Sequence, residues 1–189
     1  MISKKQELPI IEPKDIIVGN PDAPVTLMEF GDYESEACLK AQAVVNQVME
    51  AYNGKVNFNF RHFPLLKIHQ KAHKAAEAAI AAAQEGKFSE MHEMMLNNRH
   101  NLGTISLKMY AKEAGVKSKD FLNDLINGKF GWNVQDDLSE GIKLGVKDVP
   151  TFFINGTKVE GNITVKTLSE SIDAALKVSK RKAPARQRA

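Results

Sequence analysis

Ser35 and Cys38 stand three residues apart in Tyr33-Glu34-Ser35-Glu36-Ala37-Cys38, at the head of a helical pattern. The unpaired N–H groups and the dipole of a helix start favour an anion, so a cysteine there gives up its proton more readily than in water. The resulting thiolate can attack a disulfide. A serine hydroxyl at such a place is a poor nucleophile unless a base activates it. Its oxygen is better suited to capping the helix, accepting from an N–H two or three residues ahead. Cys38 is the single cysteine among 189 residues, so no disulfide closes within the chain. On spacing alone, a lone cysteine reads as a small buried apolar side chain.

Other polar residues make weaker cases. His69, His73 and Glu77 recur at four-residue steps, as metal ligands on one helix face can. No further ligand is marked by spacing, so they read as a solvated face and no metal is expected. His92-Glu93 lacks the second histidine of a zinc-protease helix. His62 falls near a strand end. Trp132 and Met91, Met94, Met95 and Met109 read as core or groove-lining residues.

The elements that would position Ser35 and Cys38 follow from periodicity. Residues 1–24 hold four prolines and read as an extended lead-in, closed by a turn at Gly19-Asn20-Pro21-Asp22. Residues 25–30 form a short apolar strand, broken by Gly31-Asp32-Tyr33-Glu34. Cys38, Gln42, Val45, Val48, Met49 and Tyr52 then mark a helix that stops at Asn53-Gly54. Val56, Phe58 and Phe60 alternate as one face of a half-buried strand. Strand, helix and strand make a right-handed βαβ unit with parallel strands. Helical patterns follow at 69–84, 88–97, 105–114, 120–126 and 134–144. Thr151-Phe152-Phe153-Ile154 returns to strand character, Asn155-Gly156 is a hairpin turn, and residues 157–160 are the return strand. A last helix over 165–178 turns Leu168, Ile172, Ala175 and Leu176 inward.

Composition sets the bounds. Hydrophobic residues at 43% and charged residues at 26% suit one globular domain rather than a disordered chain. No apolar run approaches the ~20 residues of a membrane helix. Five basic residues fall within 180–188; taking them from the net +3 leaves the remainder at −2. The basic excess is therefore a tail without base-stacking aromatics, and no nucleic-acid partner is expected. A single thiol and an N-terminus lacking an apolar signal core predict a reducing compartment, the cytoplasm.

Three segments resemble the DsbA-like thioredoxin-fold family. Residues 30–38 are similar to its active-site turn, residues 60–65 to the end of its second strand, and residues 145–156 to its cis-proline loop and hairpin. Gly86-Lys87-Phe88 with Met91-His92 fits its helical insert. The resemblance implies an α/β thioredoxin fold over 14–178 with a helical insertion at about 66–146. An N-terminal extension (1–13) and a basic tail (179–189) flank it. It implies a C-x-x-C site in which the first cysteine attacks and the second resolves. Here Ser35 takes the first place and Cys38 the second, while Glu36-Ala37 replaces the family's common Pro-aromatic pair. Val149 and Pro150 take the substrate-binding place, with Pro150 cis.

The resemblance then implies a thiol-disulfide oxidoreductase whose dithiol pair is incomplete. It would act through Cys38 alone, with glutathione as co-substrate and a thiol- or disulfide-bearing protein or peptide as partner. Two other readings stand beside it. One is a non-catalytic module that pairs an extended peptide along Val149–Pro150. The other is similarity in outline to kappa-type glutathione transferases, with Ser35 bonding the thiolate of glutathione.

Overall fold

The structure, a computed structural model, describes residues 9–182; residues 1–8 and 183–189, with most of the expected extension and tail, lie outside the described residues. Branched and aromatic side chains build one five-stranded sheet: β1 (Val18–Gly19), β2 (Val25–Gly31), β3 (Val56–His62), β4 (Thr151–Ile154) and β5 (Thr157–Lys158). The order is β1-β3-β2-β4-β5. β2 and β3 run parallel from Val25↔Val56 to Gly31↔His62, joined by α1 (Glu36–Ala51), as the βαβ reading requires. β4 runs antiparallel to β2 from Leu27↔Ile154 to Phe30↔Thr151.

Between β3 and β4 lie five helices: α2 (Ala72–Ala83), α3 (Phe88–Asn97), α4 (Thr104–Glu113), α5 (Phe121–Ile126) and α6 (Gly131–Lys143). α2 is buried over nearly its whole length, because alanine lets the surrounding helices approach on every side. α7 (Val165–Lys182) closes the fold, with Leu168 and Ile172 fully buried beneath it. It runs four residues past the expected end, into the basic stretch.

Several expectations need correction. β3 is buried on both faces rather than one. Three of its polar side chains survive burial because each finds a partner, whereas the His62 ring finds none among the described residues. Asn57 donates to the carbonyls of Asn20 and Pro21, and Asn59 to those of Pro13 and Ile16. Arg61 pairs with Asp137 and Glu140 of α6. Those carbonyls belong to the lead-in, which is not merely extended: it forms a 3-10 turn at Pro13–Asp15 and the strand β1, antiparallel to β3. The return strand β5 is only two residues long.

Trp132 is 81% exposed and Met109 is also exposed, whereas Met91 and Met95 are core. Periodicity cannot distinguish a covered from an uncovered face when neither neighbour is known. The trio His69, His73 and Glu77 is neither one helical face nor solvated. His69 precedes α2, and Glu77 is buried, held by His73 (3.3 Å) and Lys74 (2.7 Å). Among the described residues no helix is long and apolar enough to cross a membrane.

Candidate active site at the start of the first helix

β2 ends in Gly31 because a Cβ there would collide with the Phe60 ring of the adjacent strand. The chain then turns through Asp32-Tyr33-Glu34 into α1. Ser35 has extended backbone (φ −76°, ψ 124°), and its Oγ accepts from the Cys38 N–H at 3.3 Å. It is the N-cap of α1, the local role that serine favours most.

Asp32 fixes this turn to its surroundings. One carboxylate oxygen accepts from the Glu34 N–H at 2.7 Å. The other accepts from the Leu65 N–H at 2.8 Å and meets His69 Nδ1 at 2.9 Å. A single buried carboxylate thus ties the helix-start turn to the loop after β3. Asp32→Ala would leave the Leu65 N–H without its partner, a loss of about 2–3 kcal/mol for bonds to a charged acceptor. Urea denaturation of the variant checks this, with faster amide exchange at Glu34 and Leu65 than in the parent.

Cys38 sits in the first turn of α1 but is only 1% exposed. Its Sγ accepts from the Asp32 N–H at 3.4 Å. Burial pushes the thiol pKa well up, and the nearby Glu29 carboxylate pushes it further; the bonds from the Asp32 backbone and Ser35 only partly offset this. Helix-start potential, which the sequence reading credits to this thiol, is outweighed by desolvation.

Glu29 of β2 is buried on the same side of the sheet, and neither carboxylate oxygen has a hydrogen-bond partner among the described residues. Burial raises its pKa well above the carboxylate range, offset in part by the facing Cys38 thiol. Both groups resist ionisation, and each ionised form would raise the other. Sequence reading missed Glu29 and Asp32. The available signal for Glu29 was a lone acid within an apolar strand, two residues before the glycine.

The Val149–Pro150 peptide bond is cis. Counting one step past the Phe30↔Thr151 pair brings Pro150 beside Gly31, at the sheet end where the Ser35 turn begins. Val149 donates its N–H to Asp148 Oδ1 (2.8 Å), and Thr151 Oγ1 donates to the Asp148 carbonyl (2.7 Å). The ladder toward β5 ends with the Val159 N–H on the Phe152 carbonyl, 2.9 Å. The β4 end from Val149 to Thr151 therefore projects beyond its outer neighbour. Ser35, Cys38, Val149 and Pro150 gather at this end of the sheet. His62 does not open onto it: the ring is buried, both nitrogens lack partners among the described residues, and burial lowers its pKa to about 3.

Comparison with known proteins agrees with this architecture. A family model described as Thioredoxin matches residues 12–174. BdbD from Bacillus subtilis, in its oxidised form, superposes with a TM-score of 0.79 at 23% identity, covering 88% of this chain and 93% of that one. Alpha-DsbA1 from Wolbachia pipientis superposes with a TM-score of 0.73 at 24% identity, covering 88% and 92%. The chain belongs to the thioredoxin family, and its fold is the one these two proteins share. A curated relative, Na(+)/H(+) antiporter NhaA 3 of Salinispora tropica, is 32% identical over 168 residues, which is 89% of this chain. The chain spans only 26% of that relative's length.

Proposed function

We propose that this domain binds an extended, thiol- or disulfide-bearing segment of another polypeptide along the Val149–Thr151 end of β4, without running a dithiol–disulfide cycle of its own. One observation carries this reading. The sole thiol is buried with its pKa raised, and the Ser35 hydroxyl three residues before it is taken up in capping α1. The projecting strand end offers backbone for β-pairing that requires no chemistry. A relative in which a similar domain makes up about a quarter of an antiporter's length supports an appended recognition module. A single sheltered thiol suits a reducing compartment such as the cytoplasm.

A labelled dodecapeptide with one central cysteine, titrated into 15N-labelled protein, tests the binding. Amide shifts are expected at 149–151 and 32–35, with equal affinity in Cys38→Ala. Shifts elsewhere only, or binding lost with the thiol, would refute it.

A second reading, monothiol exchange through Cys38 with glutathione, is favoured by the Asp32 N–H aimed at Sγ, a bond that strengthens as the sulfur becomes anionic. Its expected sign is a Cys38–glutathione adduct in the native protein after treatment with oxidised glutathione. Intact-mass spectrometry reads it directly, and an unmodified native chain at pH 8 rejects the exchange.

A further inference from the structure

We propose that the end of α7 is a docking surface for a bilayer that carries anionic lipid. It lies at the start of β2, where Asn155 accepts from the Thr26 N–H and donates to the Pro24 carbonyl. Ser35 and Pro150 gather at the far end of that seven-residue strand, about 20 Å away at ~3.3 Å per residue. Docking at α7 leaves the Val149–Thr151 end clear of the lipid, so it neither requires nor excludes peptide binding there.

Two apolar grooves flank the last turns of α7. One, of about 540 Å³, separates the helix from the β4–β5 hairpin and is walled by Ile154, Val159 and Val178. Ser171, Ala174 and Ala175 face it from α7, and their small side chains leave the space open. The other, of about 650 Å³, separates α7 from the end of α1 and is walled by Pro24, Tyr52 and Leu176. Ser179 lines both grooves, so the helix stands between them. The outer face of a surface helix is ordinarily polar, yet Val178 is 50% exposed here.

Charge gathers at the same place. Lys158 lines the first groove, and Lys55 and Lys177 line the second. All three are exposed, and among the described residues none joins an ion pair. The one carboxylate lining either groove, Asp173, accepts from the Tyr52 hydroxyl at 3.0 Å. The chain then runs from Ser179 into residues 180–188, which hold five basic residues and no acidic one.

The two signals together select a bilayer. Clustered Lys and Arg are drawn to anionic headgroups within a Debye length of the surface. Apolar side chains then enter the boundary between headgroups and acyl chains, and firm attachment takes both kinds of signal. Nucleic acid would use the charge but gain nothing from Pro24, Leu176 and Val178. Tyr52, the aromatic at this surface, packs on the core with its hydroxyl bonded to Asp173, so it offers no platform for base stacking.

Co-sedimentation of the full chain with vesicles tests the assignment. Vesicles of phosphatidylcholine mixed with phosphatidylserine are expected to bind it at least tenfold tighter than phosphatidylcholine alone, and less tightly as salt rises. Changing Lys180, Arg181, Lys182, Arg186 and Arg188 to Gln should remove the preference for phosphatidylserine. Lys55→Gln with Lys177→Gln and Val178→Ser, in a chain that keeps the basic run, should weaken binding at least fivefold. Those three side chains are exposed, so an unchanged 15N spectrum away from them confirms that the variant folds. Binding by that variant equal to the parent's would overturn the docking surface, leaving attraction by the basic run alone. Equal binding to both kinds of vesicle, or none to either, would overturn the anionic-lipid assignment. Tighter binding of the parent to polyglutamate or to oligothymidine than to the mixed vesicles would assign the charge to an acidic polypeptide or a nucleic acid and refute the proposal.

Discussion

Glu29→Gln is expected to stabilise the domain at pH 8 and to leave its stability nearly unchanged at pH 4. The parent carboxyl is buried without a partner, and its folded pKa lies well above the ordinary 4.5. The folded state therefore holds this proton more tightly than the unfolded chain does. That contribution is fully present below the unfolded pKa and is lost as pH rises through the folded one. Glutamine keeps the shape but does not titrate, so it escapes the loss. At high pH the gain is about 1.4 kcal/mol for each pH unit between the unfolded and folded values, less the cost of a buried amide that finds no more partners than the acid did. Urea denaturation of both proteins from pH 4 to 9 gives the difference directly. A difference that stays flat across that range would mean that Glu29 is solvated or paired. Removing the charge beside Cys38 should also lower the pH at which that thiol alkylates, since Glu29 is among the groups that hold it neutral.

The histidines act in the opposite direction. Burial lowers His62 and His92 to about 3 from the usual 6.5, so both are neutral when folded and must charge when unfolded. Their contribution is present above pH 6.5 and is lost as pH falls toward 3. Each pH unit separating the folded and unfolded values corresponds to about 1.4 kcal/mol. Each histidine therefore contributes several kcal/mol, against a total stability of roughly 5–15 kcal/mol for a domain. Acid unfolding is expected within that window, softened by Glu29, which gains stability as it protonates.

The two histidines differ in a way that separates their variants. His92 links the Tyr33 hydroxyl (3.0 Å) to Gln42 Oε1 (2.9 Å), so His92→Leu strands two polar groups and destabilises at neutral pH, by an amount that shrinks as pH falls below 6.5. His62 has no such partners among the described residues. His62→Leu should be near neutral at pH 7.5 and more stable than the parent by about 2 kcal/mol at pH 5, the pH dependence of one buried imidazole. Parallel titrations of parent and His62→Leu check it, and identical acid midpoints would remove His62 as a cause.

Much of the frame was legible because it depends on local pattern. The alternation around residues 25–30 and 151–154, the Asn155-Gly156 turn, and the helical stretches all reappear within a few residues of their expected bounds. The spacing of Ser35 and Cys38 placed both at the head of α1. What escaped depends on contacts distant in sequence. β1 is too short to carry a pattern and exists only because β3 offers it an edge. The buried polar side of β3 looked solvent-facing because nothing local shows that carbonyls from residues 13–21 lie over it. Glu77 looked exposed for the same reason. At the site, the balance between helix-start potential and desolvation at Cys38 turns on how closely β2 and α1 pack. The role of Asp32 needs residues 65 and 69 brought to it.

The hydroxyl at position 35 also bears on how readily such a chain could carry a second sulfur there. By closing the first turn of α1 it contributes about 1 kcal/mol, the usual worth of a serine at that place, and a thiol accepts hydrogen bonds more weakly. A cysteine introduced at position 35 would therefore loosen the helix start, and stability alone favours the hydroxyl there.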